Sequence, residues 1–341
     1  MRIALDAMGT DRYPGVEVEG AIAALKEFPG NFGIALVGDR DRIEAELSRV
    51  GEPESDRLSI IHTSQRIEPG EAPATAVRRK PDSSIVRGLM LEREGHADAF
   101  VSAGSTGAVM AASLFILRPL AGVDRPAIAT VLPTASGPLV MLDAGANVDS
   151  KPVQLVQWAR LGAVYAQDVL GQASPRVGLL NIGEEPEKGN ELAVETHRRL
   201  RESQLNFVGN VEGRDIISGP CDVLVADGFV GNVLLKFYES VATFVSSLLM
   251  AEIESAGVEL NLEEVLRVLD YTEYGGAPLL GVNGLSIICH GGSPPVAIKN
   301  AIRVALQAAE NHMVGHIRTA VAPRGMERAS GSRAATREVA G

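Results

Sequence analysis

The sequence predicts an α/β protein whose sheet is mixed but mostly parallel, with helices covering both faces. Three observations support this prediction: short apolar segments alternate with longer amphipathic ones, the links between them are short, and two apolar segments are close enough to form a hairpin. Repeated strand–helix alternation gives parallel strands, whereas a hairpin adds an antiparallel pair. The chain has 341 residues, of which 45% are hydrophobic, so it can form one large unit or two lobes.

Short apolar runs predict the strands. These runs are residues 2–7, 34–38, 58–62, 99–102, 127–132, 139–143, 176–182, 206–209, 222–226 and 285–289. The fifth and sixth runs are separated by residues 133–138, a spacing that allows the hairpin.

Longer segments with apolar residues at helical spacing predict the helices. These are residues 14–28, 39–50, 72–94, 108–117, 152–170, 190–203, 230–255, 260–269 and 295–314. The third is interrupted at Lys80 and Pro81, because proline removes a helical N–H donor. Residues 318–341 lose the periodicity and are rich in Arg, Ala, Gly and Ser, so we expect a disordered basic tail after a single unit at residues 1–317.

Composition argues against several classes of protein. A net charge of −11 and an aromatic content of 4% are poorly suited to nucleic acid, which is bound by basic and stacking side chains. Cys221 and Cys289 lie in apolar runs, so we expect buried, reduced thiols. The six histidines form no HExxH motif, and no serine lies in a GxSxG motif. With no leader-like N-terminus and no long uninterrupted apolar run, we expect a cytoplasmic protein without a metal.

Polar, glycine-containing segments follow the predicted strands, where open α/β sheets bind ligands. They are DAMGTD at 6–11, SAGSTG at 102–107, DAGANVDSKP at 143–152, NIGEE at 181–185, GNVEGRD at 209–215 and ADGFVGN at 226–232. The segment 102–107 leads into a helix N-terminus, so its backbone N–H groups suit a phosphate; the alternative is a tight capped turn. Asp6 could likewise bind a ligand or cap its turn.

Single residues in these segments are candidate ligands. Lys151 stands at a predicted helix start, which is unfavourable for a cation unless an anion is near, although a surface lysine could tolerate the penalty. Amides recur after the strands, at Asn147, Asn181, Asn210 and Asn232, where they add nothing to helix or strand propensity. His290 precedes two glycines and could be a ligand or a structural histidine.

Together these segments resemble the phosphate acyltransferase family of bacterial phospholipid synthesis, and the resemblance runs from Arg2 to about Val314. The matching motifs are DAMG, SAG with TGA, RPA at 125–127, DAGAN, LLNIGEE with Lys188, GNVEGRD, ADGFVGNVLLK and YGGAPLLG at 274–281. The chain departs from the family at Thr10, Ser105 and Gly292, where glycine, asparagine and serine are common.

The resemblance implies a three-layer fold similar to the isocitrate/isopropylmalate dehydrogenase and phosphotransacetylase fold, with two lobes, a cleft, a helical hairpin at about 230–270 and usually a homodimer. It also implies a reaction: a long-chain acyl group passes from acyl carrier protein to inorganic phosphate, without a cofactor. The acyl phosphate then feeds a membrane glycerol-3-phosphate acyltransferase. The alternatives are a phosphate acetyltransferase-like enzyme using an acyl-coenzyme A thioester, an NAD-dependent dehydrogenase and a non-catalytic scaffold.

The implied reaction assigns roles to the candidate residues, because phosphate is itself the nucleophile and needs only binding, orientation and oxyanion stabilisation. The expected catalytic residues are Asn147, Lys151, Lys188, Asn210 and Asn232. The expected phosphate ligands are Gly104, Ser105, Thr106, Lys151 and Lys236. The expected substrate-binding residues are Asp6, Glu212, Asp227 and His290.

Two surfaces are candidate partner sites. An acidic carrier protein needs a local basic patch on this acidic enzyme, and we expect Arg78, Arg79, Lys80 and Arg87 to provide it. A second basic cluster lies at Arg198, Arg199 and Arg201, and solvated helix faces are the alternative for both. The predicted hairpin carries apolar stripes that could make weak peripheral contact with the inner face of the membrane, or pack in the core or a dimer interface.

Overall fold

The computed structural model describes residues 1–256 and 274–322, in which the chain forms two sheets. The first sheet contains β1 Arg2–Asp6, β2 Gly33–Gly38, β3 Leu58–His62, β4 Ala99–Ser102, β5 Ala127–Ile128, β11 Ala277–Leu280 and β12 Ser286–Ile288. Its order is β3-β2-β1-β4-β12-β11-β5. The first five strands in that order are parallel, and β11 is antiparallel to both of its neighbours.

The second sheet contains β6 Thr130–Thr134, β7 Gly137–Leu142, β8 Arg176–Asn181, β9 Asn206–Glu212 and β10 Val223–Val225. Its order is β6-β7-β10-β8-β9. The β6–β7 hairpin is antiparallel and the other pairs are parallel, so the predicted hairpin and mixed sheet are confirmed.

The described helices are α1 Gly15–Glu27, α2 Arg40–Val50, α3 Pro73–Arg79, α4 Ser84–Arg93, α5 Thr106–Ile116, α6 Pro152–Asp168, α7 Glu191–Arg201, α8 Gly228–Ala256, α9 Pro295–Glu310 and α10 Met313–Val321. Alternate residues of β1 face different helices: Ile3 and Leu5 share a core with Ile298 of α9, whereas Ala4 shares one with Leu89 of α4. Helices on both faces of a mostly parallel sheet confirm the predicted fold class.

One core connects the two sheets. Trp158 and Tyr165 of α6 are fully buried and belong to the same cluster as Val140 and Val223 of the second sheet and Ile3 of the first. The Trp158 indole Nε1 donates to the Arg125 carbonyl at 2.8 Å, which satisfies its polar atom. The two sheets are therefore held together by continuous apolar packing.

The predicted strand 127–132 is split between the two sheets at Ala129. β5 pairs with β11 in the first sheet, whereas β6 pairs with β7 in the second. The crossing is fixed by hydrogen bonds from Ile128 N–H to Asp143 Oδ1 at 3.0 Å and from Ala129 N–H to the Pro278 carbonyl at 3.0 Å. β11 was not predicted, because four residues including Pro278 after two glycines give no strand pattern.

The C-terminal part also departs from the prediction. The predicted helix 295–314 is two helices, separated at His312, which adopts a left-handed φ of 51°. α10 then continues through Arg318 to Val321, so residues 318–321 are helical rather than tail. Met313, Ile317 and Val321 recur on one buried face of α10, and this packing extends the helix. Residues 323–341 and the predicted helix 260–269 lie outside the described residues.

α8 differs from the other described helices in its exposure. Its segment Gly228–Ile253 is long and apolar enough to cross a membrane, with a mean hydropathy of 1.4. That result concerns length and composition only. Leu234, Leu235 and Tyr238 pack against the core, whereas Val233, Phe237 and Phe244 are exposed.

Candidate active site between the two sheets

A cavity of about 200 Å³ lies where the carboxyl ends of β4 and β12 face β5, β6 and the start of α8. Its polar lining in the described chain is Thr106, Thr130, Asn232, Lys236, Glu239, Tyr274, His290 and Ser293. Ile128, Val131 and Leu235 contribute apolar wall. The cavity therefore combines groups for an anion with a surface for a hydrocarbon.

Two opposing walls enclose this cavity. We call the side formed by the ends of segments 102–107 and 290–293, with segment 6–11 packed behind them, the loop wall, and the side formed by the first turns of α8 the helix wall. On the loop wall Thr106 opens α5, and His290 and Ser293 precede α9. A helix N-terminus carries partial positive charge and free N–H groups, so the start of α5 favours an anion, whereas α9 opens with Pro294 and Pro295, which have no N–H.

The helix wall presents side chains rather than backbone. Asn232 and Lys236 lie one turn apart on α8, and both are exposed and line the cavity. Lys236 donates to Glu239 Oε2 at 2.9 Å, so its ammonium is held over the cavity wall. An amide and an ammonium at this spacing can contact two atoms of one substrate.

The segment 143–147 supports the helix wall. Asp143 is fully buried, and its oxygens accept from the N–H groups of Ile128, Ala146 and Asn147 at 2.7–3.1 Å. Burial raises the pKa of the Asp143 carboxyl, and these hydrogen bonds oppose the rise. The Asn147 Nδ2 donates to the Pro126 carbonyl at 2.9 Å and to Asp143 Oδ2 at 3.0 Å. Both of its N–H donors are therefore occupied, which places Asn147 in the scaffold.

Glycines bring α8 onto this segment. A Cβ on Gly228 would lie 2.2 Å from the Asn147 carbonyl oxygen, and one on Gly231 would lie 1.9 Å from the Asp143 carbonyl oxygen. Neither contact is possible for a larger residue without moving the helix. The ADGFVG motif therefore allows the close approach that places Asn232 beside the cavity.

A buried acid braces the loop wall. Asp6 Oδ2 accepts from the Ser102 hydroxyl at 2.7 Å, and the same hydroxyl accepts from the Gly104 N–H at 3.0 Å. Burial raises the pKa of the Asp6 carboxyl, and hydrogen bonds from Ser84 and Ser102 partly lower it. Asp6 thus organises segment 102–107 from behind and does not line the cavity.

Besides Asn147, three more predicted catalytic residues lie outside the cavity lining. Lys151 is exposed at the start of α6, where its backbone N–H donates to Gln154 Oε1 at 2.8 Å. Lys188 is exposed, and its carbonyl accepts from Asn181 Nδ2 at 2.9 Å. Asn210 is buried, with Oδ1 2.9 Å from His197 Nδ1 and Nδ2 donating to the Glu185 carbonyl.

Two predicted substrate-binding acids also have other partners. Asp227 Oδ1 accepts from the N–H groups of Phe229 and Val230, so it caps the start of α8. Glu212 pairs with Arg214 at 3.1 Å. Its carboxylate lies within 4.8 Å of those of Glu184 and Asp215 in a partly exposed acidic cluster.

The two basic clusters differ in how far acids neutralise them. Arg78 is exposed and lies over the Phe115 ring at 5.0 Å, and Arg79 is exposed beside it on α3. Lys80 pairs with Glu71 at 2.6 Å, and Arg87 lies 3.9 Å from Asp82.

In the second cluster Arg198 pairs with both Glu195 and Glu202, and Arg199 pairs with Glu195. Arg78 and Arg79 therefore keep more uncompensated positive charge than Arg198 and Arg199.

Sequence reasoning missed Ser293, Thr130 and Cys289 in the cavity wall. Ser293 had a local signal, because it stands after two glycines and before the proline-rich start of α9. Thr130 and Cys289 had none, since both belong to apolar segments.

Comparison with known proteins decides the family. Residues 1–315 match the family model described as fatty acid synthesis protein. A phosphate acyltransferase from Heliobacterium modesticaldum is 52% identical over 325 residues, which cover 93% of this chain and 96% of the relative. One from Desulforamulus reducens is 50% identical over 325 residues, with the same coverage.

The chain belongs to the phosphate acyltransferase family. It is therefore an enzyme, and the resemblance seen in its motifs is confirmed.

Solved structures show where else this fold occurs. A phosphotransacetylase from Staphylococcus aureus has a TM-score of 0.61 at 15% identity, covering 91% of this chain and 94% of its own. A branched-chain phosphotransacylase from Enterococcus faecalis has a TM-score of 0.58 at 16% identity, covering 90% and 99%. A Salmonella typhimurium protein assigned as a 4-hydroxythreonine-4-phosphate dehydrogenase scores 0.53 at 14% identity, covering 90% and 98%. The expected similarity to phosphotransacetylase and dehydrogenase folds is confirmed.

Proposed function

We propose that this enzyme transfers a long-chain acyl group from acyl carrier protein to inorganic phosphate, yielding acyl phosphate and free carrier protein for phosphatidic acid and phospholipid synthesis. The observation that carries the proposal is the cavity between the two walls. It places helix N-termini, Asn232 and Lys236 next to apolar wall in a member of the phosphate acyltransferase family. An anionic nucleophile and an acyl thioester both fit that combination.

Phosphate binds first to the loop wall in this scheme. The start of α5 at Thr106 supplies N–H groups and partial positive charge, and Lys236, which is paired with Glu239, supplies a cation from the helix wall. Holding phosphate between them orients one oxygen toward the thioester carbon. Such orientation can contribute about 7–11 kcal/mol to lowering the barrier.

A phosphate oxygen then bonds to the thioester carbon, giving a tetrahedral oxyanion. The oxyanion re-forms the C=O bond as the C–S bond breaks with its electron pair leaving on sulfur, and the carrier thiolate takes up the proton that the attacking hydrogen phosphate loses. The Asn232 amide is the predicted asparagine that lines the cavity, so we assign it to the oxyanion. One such donor is worth about 3–4 kcal/mol in the transition state.

The carrier protein docks at Arg78 and Arg79 in this proposal. Both are exposed on α3, and Gly107 at the start of α5 packs against Pro73 of the same helix, so the patch lies close to segment 102–107. A positive patch can steer an acidic partner toward an enzyme whose net charge is −11.

The exposed face of α8 also needs a partner. Among the apolar residues of α8, Leu234 packs on the core, but Val230, Phe237, Val241, Val245 and Leu248 are exposed. Burial in the core of the described chain is therefore wrong for these five residues. A second subunit and weak contact with the cytoplasmic membrane surface, where the membrane acyltransferase would take the product, both remain proposals.

The proposed function is tested by thioester consumption with two donors. We expect phosphate-dependent loss of long-chain acyl carrier protein and a much slower loss of the matching acyl-coenzyme A. Equal or faster use of acyl-coenzyme A would instead support the phosphate acetyltransferase-like alternative. Absence of phosphate dependence with both donors would exclude both.

A further inference from the structure

Glu17, in the first turn of α1, is a buried acid that neither the motifs nor the proposed mechanism uses. It is 0% exposed, and its Oε1 accepts from the Thr10 N–H at 2.7 Å. Its Oε2 and the Thr10 hydroxyl make no hydrogen bond within the described residues. α1 cannot easily withdraw it, because Gly20 packs so closely on Ile298 of α9 that a Cβ there would lie 2.7 Å away.

Thr10 belongs to the segment that connects both halves of the loop wall. One residue earlier, Gly9 packs on segment 102–107, where a Cβ would lie 2.7 Å from Gly104 N. One residue later, the Asp11 N–H donates to the Gly291 carbonyl at 2.9 Å. Segment 6–11 therefore contacts both the loop that leads to Thr106 and the loop that carries His290. Glu17 accepts the hydrogen bond from Thr10, which lies between these two contacts.

We propose that Glu17 is a positioning residue that holds the Thr10 N–H and, through its own charge directly behind the loop wall, tunes phosphate binding there. The inference rests on the proposed function and deepens it, since it adds a residue that tunes phosphate use without touching phosphate. Arg66 fixes the same segment from another side, through its Nε–H to the Met8 carbonyl at 2.7 Å.

The charged groups around Glu17 decide when it ionises. Burial and, to a smaller degree, the charge of Asp6 raise the pKa of the Glu17 carboxyl to about 7, against the lowering effect of the Thr10 N–H. Cys289 also faces this carboxyl from the end of β12.

Groups on the neighbouring elements lie farther from this carboxyl or have other partners. Arg66 acts on Asp6. Glu46 of α2 lies beside Gly15, and Lys299 of α9 pairs with Glu27 at the far end of α1. Glu17 therefore gains a buried negative charge behind the loop wall as the pH rises through about 7.

That charge should weaken phosphate binding at high pH. Phosphate itself ionises in the same pH range, which changes the phosphate KM of every variant. The quantity to measure is therefore the phosphate KM of wild type divided by that of Glu17→Gln, because the effect of phosphate ionisation cancels in this ratio. Glutamine keeps the Oε1 acceptor for Thr10 but cannot ionise. We expect a ratio near one at pH 6 and about fivefold at pH 8, as expected for one charge acting across a partly screened distance.

Two further variants separate positioning from general structure. Glu19→Gln is the matched control on the same helix, because Glu19 is exposed and pairs with Arg49; its ratio should stay near one at both pH values. Thr10→Val keeps the backbone N–H that Glu17 accepts and removes only a hydroxyl without a hydrogen bond, so its ratio should also stay near one.

A ratio for Glu17→Gln that does not change with pH overturns the inference, as does a Thr10→Val or Glu19→Gln ratio that changes with pH as the Glu17→Gln ratio does. If wild type consumes no thioester, the proposed function fails by itself. The same pH series is then read from the rise in melting temperature caused by inorganic phosphate. A pH-independent difference between wild type and Glu17→Gln in that measurement likewise overturns the inference.

Discussion

The two walls of the cavity are built in opposite ways. The loop wall is backbone held from behind by buried carboxyls, Asp6 on Ser102 and Glu17 on Thr10. The helix wall is a pair of exposed side chains, Asn232 and Lys236, on a helix that glycines bring close to segment 143–147. Most of the acids and amides in the motifs therefore build the scaffold, whereas a few exposed groups face the substrate.

The largest expected effect comes from moving the helix wall as a whole. Gly231→Ala puts a methyl group 1.9 Å from the Asp143 carbonyl oxygen, so α8 must shift. A displacement of about 1 Å in a catalytic group can cost roughly 100-fold in rate, and we expect kcat/KM to fall by at least that factor. Gly315→Ala on α10 is the control, since a Cβ there has open space. Near-normal turnover by Gly231→Ala would show that the helix wall is not part of the active site.

A smaller effect is expected from the carrier patch beside the loop wall. Charge reversal at Arg78 and Arg79 should lower kcat/KM for acyl carrier protein about tenfold at low salt and weaken its salt dependence. The same reversal at Arg198 and Arg199, which are paired with acids, should do less. Equal effects of the two double variants, or none, would remove Arg78 and Arg79 from carrier docking.

The smallest expected effect concerns the exposed end of α8. Leu249 and Met250 are exposed by 38% and 52%, so Leu249→Glu with Met250→Glu should abolish weak, salt-resistant co-sedimentation with liposomes. Ser240→Glu with Ser247→Glu adds the same charge at polar positions of α8 and should bind like wild type. If wild type does not bind liposomes, or if the Leu249→Glu, Met250→Glu variant binds as well as wild type, this face is not a membrane contact. Sedimentation equilibrium then tests whether the face binds a second subunit.

Local patterns were enough to predict most strands and helices around the site, because apolar periodicity depends only on residues close together in the chain. It could not predict that residues 127–132 divide between two sheets. That division depends on Asp143 accepting the Ile128 N–H, a contact between residues 15 apart. Short strands such as β11 leave too few residues for any period to show.

The candidate site was harder to predict for a related reason. Asn147 and Asn232 both follow apolar strands in glycine-containing motifs, and the sequence treats them alike. Packing separates them: Asn147 uses both amide N–H groups inside the scaffold, whereas Asn232 is exposed at the cavity. Lys151 was favoured because a helix start suggested a nearby anion. The cavity, however, lies at the N-termini of other helices, where Lys236 reaches it.

The most direct test of whether phosphate binds in this cavity compares the phosphate KM of Lys236→Ala with that of Lys151→Ala. A hydrogen bond to a charged group is worth about 1.5–3 kcal/mol, so loss of Lys236 should raise the phosphate KM roughly 10- to 100-fold. Lys151→Ala should change it much less, because Lys151 is exposed outside the cavity lining. A steep rise for Lys151→Ala with an unchanged KM for Lys236→Ala would contradict this placement and return the phosphate to the start of α6.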